Sequence, residues 1–282
     1  SCTSSFNISF NRNKVLSLND DEPSLASRVN WGNFNNAYPY IAIPGHPIAM
    51  FYGHIFDGVY QYTDFDKVGE SYILKDGVPN NGNAREKIQP GDIKFKDINR
   101  DGVVNDYDLT IIGNPNPKHI GGFGNNFQYK NFDLNVFFQW SYGGDVLNAN
   151  RIEFEGGDPN ARTSLNMFAS FANRWTPENQ TNELYRIGGQ GPAVYSSRTI
   201  EDGSFLRLKT VSLGYRLPNA WLKKINIKSL RVYASAQNLI TWTKYSGPDP
   251  EVSTRPTALT PSFDWSPYPR PRTLTLGVDI SF

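Results

Sequence analysis

The sequence predicts an all-β fold of antiparallel strands, and two features of the chain support this prediction. Several segments of about ten residues alternate apolar and polar side chains, which is the period-two pattern of a strand with one apolar face. The 282 residues also include 14% aromatic residues, 24 glycines and 19 prolines, a composition that suits many strands joined by turns and loops. The same composition argues against a long helical bundle.

The alternation places the strands along the chain. The predicted strands are residues 4–16, 50–61, 122–129, 132–141, 204–217, 228–240 and 273–282. The third and fourth form a hairpin that turns at Lys130 and Asn131. The apolar residues of 204–217 change phase halfway along, so we expect a β-bulge near Lys209 to keep them on one face.

Polar segments rich in Gly, Pro, Asn and Asp separate these strands and predict long loops. They cover residues 19–47, 63–90, 143–199 and 241–270. Within the longest of them, residues 164–175 have the spacing of a short helix. Loops of this length are usually either functional or disordered linkers.

Two architectures fit strands of this kind, a soluble β-sandwich and part of a transmembrane β-barrel. Strand length, aromatic residues near strand ends and an apolar last strand favour the barrel, whose strands cross the bilayer in about 9 to 11 residues. The sandwich remains the alternative, because apolar faces can also meet in a soluble core.

The last strand gives the clearest orientation. Its apolar face, predicted to contact lipid in a barrel, carries Leu274, Leu276, Val278, Ile280 and Phe282. Its other face, predicted to line the lumen, carries Thr275, Asp279 and Ser281. A charge should therefore be costly on the first face and mild on the second.

Residues 97–108, DINRDGVVNDYD, have the spacing of an EF-hand-like calcium loop. Side-chain oxygens fall at loop positions 1, 3, 5, 9 and 12, Gly102 supplies the sharp turn at position 6, and position 7 gives a backbone carbonyl. The predicted Ca²⁺ ligands are Asp97, Asn99, Asp101, Val103, Asn105 and Asp108. We expect a structural calcium site in an extramembrane loop.

Asp108 departs from the EF-hand pattern, which has a longer, bidentate Glu at position 12. The shorter side chain predicts a tighter loop without the helix opening of a calcium sensor. A surface turn without metal is the alternative, since Asp, Asn and Gly favour turns in any case.

Charge and cysteine content exclude several other classes of protein. Lys plus Arg number 28 against 27 for Asp plus Glu, which gives a net charge of +1 and no field that would recruit nucleic acid. The single cysteine, Cys2, excludes an internal disulfide and a multi-cysteine metal site. The three histidines, His46, His54 and His119, lack a metal-ligand spacing.

No pattern of catalytic residues is present, so we predict a protein that is not an enzyme. Two pairs of carboxylates, Glu153 with Glu155 and Asp249 with Glu251, have a spacing that a glycosidase could use. Residues two apart share a strand face in any protein, and solvated loops explain these pairs more simply.

Four segments of the chain resemble SusC/RagA-type TonB-dependent outer-membrane transporters, in the order that this family has them. They are residues 90–148, which begin PGDIKFKDINRDG, then DGSFLRLKTVSLGYRLP, LRVYASAQNLITWTKYSGPDPE and the terminal PRTLTLGVDISF. The segment FYGHIFDGVYQ upstream also fits. The resemblance covers nearly the whole chain and corresponds to the C-terminal part of the family.

The resemblance implies a bacterial outer-membrane barrel of 22 strands, of which residues 1–282 would form the last third or so. It also implies a plug domain, a SusD-like surface lipoprotein as partner, and energy supplied through TonB. The plug, the segment that contacts TonB and the earlier strands lie outside this sequence. No signal peptide is visible at Ser1, so we expect a mature piece or a fragment of a longer protein.

The leading functional hypothesis is energy-dependent import of a glycan or peptide oligomer across the outer membrane. The alternative is a soluble, calcium-stabilised carbohydrate-binding β module. In that module Trp175, Trp242, Trp265 and neighbouring tyrosines would stack on sugar rings. Dependence on detergent would distinguish the two, and the sequence leaves the substrate open.

Overall fold

The structure is a computed structural model that describes residues 1–29, 37–156, 165–193, 195–222, 226–254 and 257–282. The strands are β1 Cys2–Ser9, β2 Leu25–Ser27, β3 Tyr40–Ala42, β4 Met50–Gly53, β5 Phe56–Val59, β6 Phe65–Val68, β7 Ser71–Leu74, β8 Ile93–Phe95, β9 Thr110–Gly113, β10 His119–Tyr129, β11 Phe132–Tyr142, β12 Asp145–Asn148, β13 Ile200–Asp202, β14 Phe205–Arg216, β15 Ser229–Thr243, β16 Phe263–Asp264 and β17 Thr273–Ser281. The α-helices are α1 Asn150–Glu155 and α2 Asn219–Leu222. The prediction of an all-β antiparallel fold is confirmed.

Six long strands form the main sheet, in the order β1-β10-β11-β14-β15-β17, and every neighbouring pair is antiparallel. The predicted hairpin is confirmed: Tyr129 pairs with Phe132, so β10 and β11 turn through Lys130 and Asn131. Lys130 takes the left-handed conformation, with a φ of 51°, that a two-residue hairpin turn requires.

The predicted bulge at Lys209 is also confirmed. The register of β14 against β11 shifts between Phe137 and Phe138, and its register against β15 shifts between Leu208 and Thr210. The extra residue puts Leu208 and Val211 on the same sheet face although they are three positions apart in sequence. This is how a strand with a phase change keeps one continuous apolar surface.

One face of the main sheet, here called the apolar face, exposes large hydrophobic side chains on all of its strands. On the last strand Leu274 is 79% exposed, Leu276 86% and Val278 56%. The same face continues across the sheet through Phe6, Ile8, Phe127, Tyr129, Phe132, Leu206, Leu213, Val232, Ile240 and Trp242, each more than one-third exposed. Within the described residues no second sheet covers this surface, which is the arrangement of a lipid-facing barrel wall and not of a sandwich core.

The opposite face, here called the polar face, carries charged and amide side chains. Asp133, Gln139, Arg207, Arg231 and Asp279 point to this side, as their cross-strand pairing shows. Arg231 donates to Asp133 at 2.6 Å and to Asp279 at 3.1 Å, so ion pairs join three strands of the sheet. The predicted division of β17 into two chemically different faces agrees with this arrangement.

Three long segments connect the main strands at one end of the sheet and pack together as a second region, here called the cap. They are residues 10–118, 143–204 and 244–272. At the other end the connections are short, at 130–131 and 217–228. The cap contains a four-stranded sheet β2-β3-β4-β9, a three-stranded sheet β13-β12-β16, and the pairs β5-β8 and β6-β7.

The cap corrects several boundaries expected from the sequence. The first strand ends at Ser9 and not at residue 16, and residues 50–61 divide into β4 and β5. All four predicted loops contain short strands that were not expected, such as β3 and β12. Strands of two to four residues are too short to show a period, and some of them, such as β3 and β16, are buried on both faces, so alternation does not reveal them.

The short helix expected at 164–175 begins outside the described residues. In the part that is described, Ala169–Asn173 form a 3-10 helix. Other 3-10 turns are Asn19–Asp21, Tyr62–Asp64, Arg85–Lys87, Asp106–Asp108 and Ser197–Thr199. Among the residues that the structure describes, no helix has the length and apolar character to cross a membrane.

The hydrophobic cores lie in the cap. The first contains Tyr40, Phe51, Leu147 and Phe263, each completely buried, and so joins all three cap segments. A second packs Phe95, Trp175 and Leu184 together. Because each core contains residues distant in sequence, the cap is held as one packed unit at the end of the main sheet.

Candidate functional site

The loop 97–108 is closed by the side chain of its last residue. Asp108 is completely buried. Its Oδ1 accepts a hydrogen bond from the backbone N–H of Ile98 at 2.7 Å, and its Oδ2 accepts one from the backbone N–H of Asn105 at 2.9 Å. The 3-10 turn Asp106–Asp108, capped by Asn105, places the carboxylate for both contacts.

The first half of the loop is wound around Asp97. Its two carboxylate oxygens accept from the backbone N–H groups of Arg100 at 2.6 Å and Gly102 at 2.8 Å. Arg100 and Gly102 both have positive φ, 63° and 84°, which lets the chain reverse inside the loop. Asp101 accepts from Val103 at 2.8 Å, and Asn99 accepts from Asp101 at 3.0 Å.

The predicted ligands are therefore brought into one small loop, and their oxygens are the hard donors that Ca²⁺ prefers. Across the described residues, no three His, Cys, Asp or Glu side chains form a group that could hold a metal ion. A cation here would thus depend on the amide oxygens of Asn99 and Asn105 and on the Val103 carbonyl as well as on carboxylates. The oxygen donors of the loop fit, in type and in number, the mixed set of ligands that Ca²⁺ takes.

The loop is attached to the rest of the cap by Asn80. The side-chain oxygen of Asn80 accepts from the backbone N–H of Val104 at 2.8 Å, and the backbone N–H of Asn80 donates to the carbonyl of Gly102 at 3.4 Å. Next to the loop, Tyr38, Tyr52, His54 and Tyr107 line part of a cavity of about 1120 Å³. The conformation of the loop therefore shapes one wall of that cavity.

Two of the three histidines, His54 and His119, lie beside aromatic rings. His54 stacks on Phe95, with ring centroids 5.2 Å apart, and its Nδ1 is buried without a hydrogen-bond partner among the described residues. Burial lowers the pKa of His54, although Asp108 and Asp106 nearby oppose this shift. His119 accepts a hydrogen bond from Trp140 Nε1 at 3.1 Å.

The carboxylate pairs expected to be solvated are partly buried in ion-pair networks, so that expectation is wrong. Glu155 is 6% exposed and binds Arg198 at 2.7 Å and Arg151 at 2.9 Å. Burial alone would raise the pKa of Glu155, but the hydrogen bond from Ser170 and the two arginines lower it. A carboxylate held ionised between two cations is suited to joining elements of the cap.

Asp249 and Glu251 are joined to the main sheet through Arg207, which is only 2% exposed. Arg207 Nη2 lies 2.5 Å from Asp249 Oδ1, and Arg207 Nη1 lies 3.1 Å from Glu251 Oε2. Arg270 binds the same two carboxylates at 3.5 Å and 2.6 Å. The sequence Pro-Asp-Pro-Glu at 248–251 does not indicate these partners. Arg207 is distant from it in sequence, and Arg270 follows an irregular loop.

Asp264 is a further buried carboxylate that sequence reasoning missed. It is completely buried and accepts hydrogen bonds from the Tyr245 hydroxyl and from Asn150 Nδ2. Burial raises the pKa of Asp264, while these two hydrogen bonds lower it in part. Burial likewise raises the pKa of the Tyr245 hydroxyl. The pair ties the beginning of segment 244–272 to its β16 strand.

The three tryptophans of the soluble-module hypothesis do not converge. Trp175 is 4% exposed, and its Nε1 donates to Gln61 at 3.0 Å. Trp242 is 48% exposed but lies on the apolar face of the main sheet. Trp265 packs near Phe154 in the cap, at a ring distance of 6.3 Å. The open ring faces needed to stack sugars are therefore not provided jointly by these residues.

A cavity of about 740 Å³ lies where the cap meets the polar face of the main sheet. Phe137 and Gln139 of β11 line one side, and Pro250, Glu251 and Val252 line another. The cavity is thus formed between the sheet and the segment that Arg207 holds.

No protein-family model matches the chain. Curated proteins similar to it include TonB-dependent receptor P3 of Formosa agariphila, which is 35% identical over 285 residues covering 99% of this chain and 26% of the relative. TonB-dependent receptor P26 of the same organism is 31% identical over 98% of this chain and 26% of its own length. TonB-dependent receptor SusC of Bacteroides thetaiotaomicron is 28% identical over 99% of this chain and 24% of its own length.

Solved structures show the same fold. The structure of the RagAB peptide transporter superposes with a TM-score of 0.72 at 24% identity, covering 100% of this chain and 27% of that chain. The RagAB peptide importer in the open-open state superposes with a TM-score of 0.68 and 26% of that chain covered. This chain thus spans about a quarter of the length of the proteins it matches.

These comparisons confirm three predictions from the sequence. The resemblance to SusC/RagA-type TonB-dependent transporters is confirmed over nearly the whole chain. The main sheet has the fold of part of a TonB-dependent transporter barrel. The bacterial outer-membrane location is confirmed as well. The relatives are named as receptors and transporters, not as enzymes.

Proposed function

We propose that this chain is the C-terminal part of a barrel that imports nutrient oligomers across the bacterial outer membrane with energy from TonB. The observation that carries the proposal is the two-faced main sheet, in which an exposed apolar face backs a polar face with ion pairs. Lipid is the one solvent in which such an exposed apolar surface is stable on ten-residue strands. The names of the similar proteins support TonB-dependent import.

The orientation in the membrane follows from the lengths of the connections. Outer-membrane barrels have short periplasmic turns and longer extracellular loops. The turns at 130–131 and 217–228 would then face the periplasm, and the cap built from 10–118, 143–204 and 244–272 would face the cell exterior. An oligomer would meet the cap first and the polar face of the sheet afterwards.

The remaining strands of the barrel must come from residues beyond this sequence. In the described residues β1 and β17 are the two edges of the six-stranded sheet, and unpaired backbone groups at such an edge cost several kcal/mol each in lipid. We therefore assign the six long strands of residues 1–282 to about the last quarter of a barrel of about 22 strands, with the plug and the segment that contacts TonB elsewhere in the protein, as the family resemblance implies.

The proposed partner on the cell surface is a SusD-like lipoprotein. The similarity to SusC and to the RagAB importer supports this partner. The substrate class is a peptide or glycan oligomer, and outer-membrane lipid surrounds the apolar face. A soluble carbohydrate-binding module is not supported, because its apolar strand faces would be buried in a core and its tryptophans do not converge.

Loop 97–108 is proposed to bind Ca²⁺ as a structural element of the cap. The ligands would be Asp97, Asn99, Asp101, Asn105 and Asp108 with the Val103 carbonyl. The wound conformation of the loop supports this assignment, because the carboxylates of Asp97 and Asp108 accept hydrogen bonds from backbone N–H groups and so hold the chain that carries the acidic side chains in a tight curl. A divalent cation would offset their mutual repulsion.

Uptake by whole cells tests the import proposal. Cells that produce the full-length protein are compared with cells lacking its gene, during growth on peptide or glycan oligomers as the sole nutrient. We expect loss of the gene, loss of TonB or a protonophore each to abolish uptake of the same oligomer. Uptake that survives all three treatments contradicts the proposal.

A further inference from the structure

The segment 244–272, which joins β15 to β17, folds back onto the polar face of the main sheet. Its sequence SGPDPE, residues 246–251, contains two carboxylates only two positions apart. Asp249 is 7% exposed although it lies in an irregular segment. Charged side chains are rarely buried in loops unless a partner of opposite charge meets them, so this segment must be held from outside itself.

Arg207 is that partner. It projects from β14 on the polar face and, among the residues that the structure describes, is the largest of the side chains that are almost completely buried. Its Nη2 donates to Asp249 at 2.5 Å, its Nη1 to Glu251 at 3.1 Å and its Nε to the Thr241 hydroxyl at 3.1 Å. All three guanidinium nitrogens are therefore used, two on the segment and one on the neighbouring strand.

The far end of the segment reaches the same place. Arg270 Nη1 donates to Glu251 at 2.6 Å, and Arg270 Nε lies 3.5 Å from Asp249. Two arginines thus face two carboxylates, and both ends of the segment are joined at one point of the sheet. Arg270 is 41% exposed, so solvent screens its contribution, and the buried Arg207 is the main attachment.

The turn at the carboxylates contains a hydrogen bond of its own. The backbone N–H of Glu251 donates to Asp249 Oδ1 at 2.9 Å across Pro250. Gln139 on the neighbouring strand approaches Glu251 Oε1 at 3.5 Å. Pro250, Glu251 and Val252 of this turn line the cavity of about 740 Å³, and Phe137 lines it from the sheet.

We propose that Arg207 is a positioning residue that fixes segment 244–272 inside the mouth of the barrel and thereby keeps this cavity open on the path of the oligomer. The proposal rests on the import function proposed above. According to this proposal, segment 244–272 is a fixed part of the channel wall, and the mouth of the barrel opens by movement of other segments.

Lysine cannot replace Arg207 in this role. A guanidinium is a planar fork that reaches both carboxylates and the Thr241 hydroxyl at the same time, whereas an ammonium is a single point charge. Removing the arginine entirely leaves the buried carboxylate of Asp249 and the partly exposed one of Glu251 with Arg270 as their exposed partner, which is more costly than exchanging the whole group for neutral side chains. A lysine at position 207 keeps the charge but not the fork geometry, whereas a neutral residue removes both. Comparing the two substitutions therefore separates the effect of charge from the effect of geometry.

Accessibility of residue 252 to a thiol reagent tests the proposal in the full-length protein. Val252 is 9% exposed, whereas Ser253 is exposed. In a background without other cysteines, Val252→Cys is treated on intact cells with a maleimide that does not cross membranes. Ser253→Cys in the same background should react fast in every variant and serves as the labelling control.

We expect Arg207→Met to raise the labelling rate at position 252 at least tenfold and Arg207→Lys to raise it by an intermediate factor. Arg231→Met, which removes an ion pair on the same face but away from the segment, should leave the rate unchanged. Folding is checked by heat-modifiable electrophoresis. If Arg207→Met does not assemble, the labelling rate at position 252 in Arg207→Lys decides the test.

Two results would overturn the proposal. One is an unchanged rate at position 252 in assembled Arg207→Met and Arg207→Lys. The other is a return to the wild-type rate when Arg207→Met is combined with Asp249→Asn and Glu251→Gln, because repulsion between unpaired carboxylates would then explain the effect without an anchor. Labelling requires no transport, so failure of import and failure of the anchor are distinguishable.

Discussion

The carboxylate of Asp108 accepts a hydrogen bond from the backbone N–H of Ile98 at 2.7 Å and thereby joins the two ends of the loop 97–108. Its second oxygen holds Asn105. Asp108→Ala leaves two donors without this acceptor, which should cost about 1 to 3 kcal/mol in local stability. Hydrogen exchange of the loop amides should accelerate accordingly. Asp106→Ala, at an exposed neighbour, is the control and should leave exchange unchanged.

Calcium binding by the same loop is a separate prediction. The full-length protein is treated with a chelator, and calcium binding is then followed by calorimetry. We expect binding at or below millimolar calcium that is weakened by Asp97→Ala, because this residue is the first ligand. Asp106→Ala lies outside the ligand set and should bind as the wild type does. Absence of binding, or equal binding by both variants, contradicts the assignment.

The buried carboxyl of Asp264 should make cap stability depend on pH. Burial raises the pKa of Asp264, so the folded state holds the proton more tightly than the unfolded state. The stability it contributes is fully present below the unfolded pKa of about 3.9 and is lost as the pH rises through the folded pKa. Asp264→Asn should therefore gain in melting temperature relative to the wild type as the pH rises.

A carboxyl of the opposite kind provides the control for this experiment. The hydrogen bond from the Ser204 side chain lowers the pKa of Asp202. Its contribution is present above the unfolded pKa and lost as the pH falls. Asp202→Asn should thus lose melting temperature relative to the wild type as the pH rises. The two changes fall in different pH ranges, above about pH 4 for Asp264→Asn and below about pH 4 for Asp202→Asn. A melting-temperature difference that stays constant above about pH 4 for Asp264→Asn, or below about pH 4 for Asp202→Asn, contradicts the assignment.

The glycine at position 121 permits the close approach of β1 and Trp140. A Cβ at Gly121 would lie 2.2 Å from Trp140 Cζ2 and 2.5 Å from the backbone oxygen of Asn7. Gly121→Ala should force these strands apart at a cost of about 1 to 3 kcal/mol, measured as a lower midpoint of unfolding. Gly124→Ala would meet the flexible Ser5 hydroxyl first and should cost less. Equal losses of stability in Gly121→Ala and Gly124→Ala would show that the contact at Gly121 does not limit how closely the strands pack.

Sequence patterns were sufficient for the membrane-type sheet and insufficient for the cap. Strands such as β11 and β17 are long and alternate between one polar face and one apolar face almost throughout, so both their position and their orientation could be predicted. The bulge at Lys209 was visible for the same reason, because it shifts the phase of an otherwise regular pattern.

The cap and its charge networks escaped prediction for a physical reason. Strand β12 has four residues and is largely buried, so it shows no period. The partners of Arg207 come from a loop more than 40 positions away, and Asp264 meets Tyr245 only after an irregular path. Pairings of that kind depend on tertiary packing, and a local pattern does not contain them. Loop 97–108 can be recognised from the sequence because its residues are consecutive, and calcium binding there stays a prediction.

The central claim is that the apolar face of the main sheet contacts lipid, and a pair of substitutions on the last strand tests it most directly. Val278 lies on that face and is 56% exposed, whereas Thr275 lies on the polar face beside Ser235. The measurement is the amount of assembled full-length protein in the outer membrane. Val278→Arg should lower it strongly, since an arginine facing lipid near the midplane costs about 2 to 4 kcal/mol, while Thr275→Arg should assemble nearly as the wild type does. Equal yields of the two variants would contradict the claim.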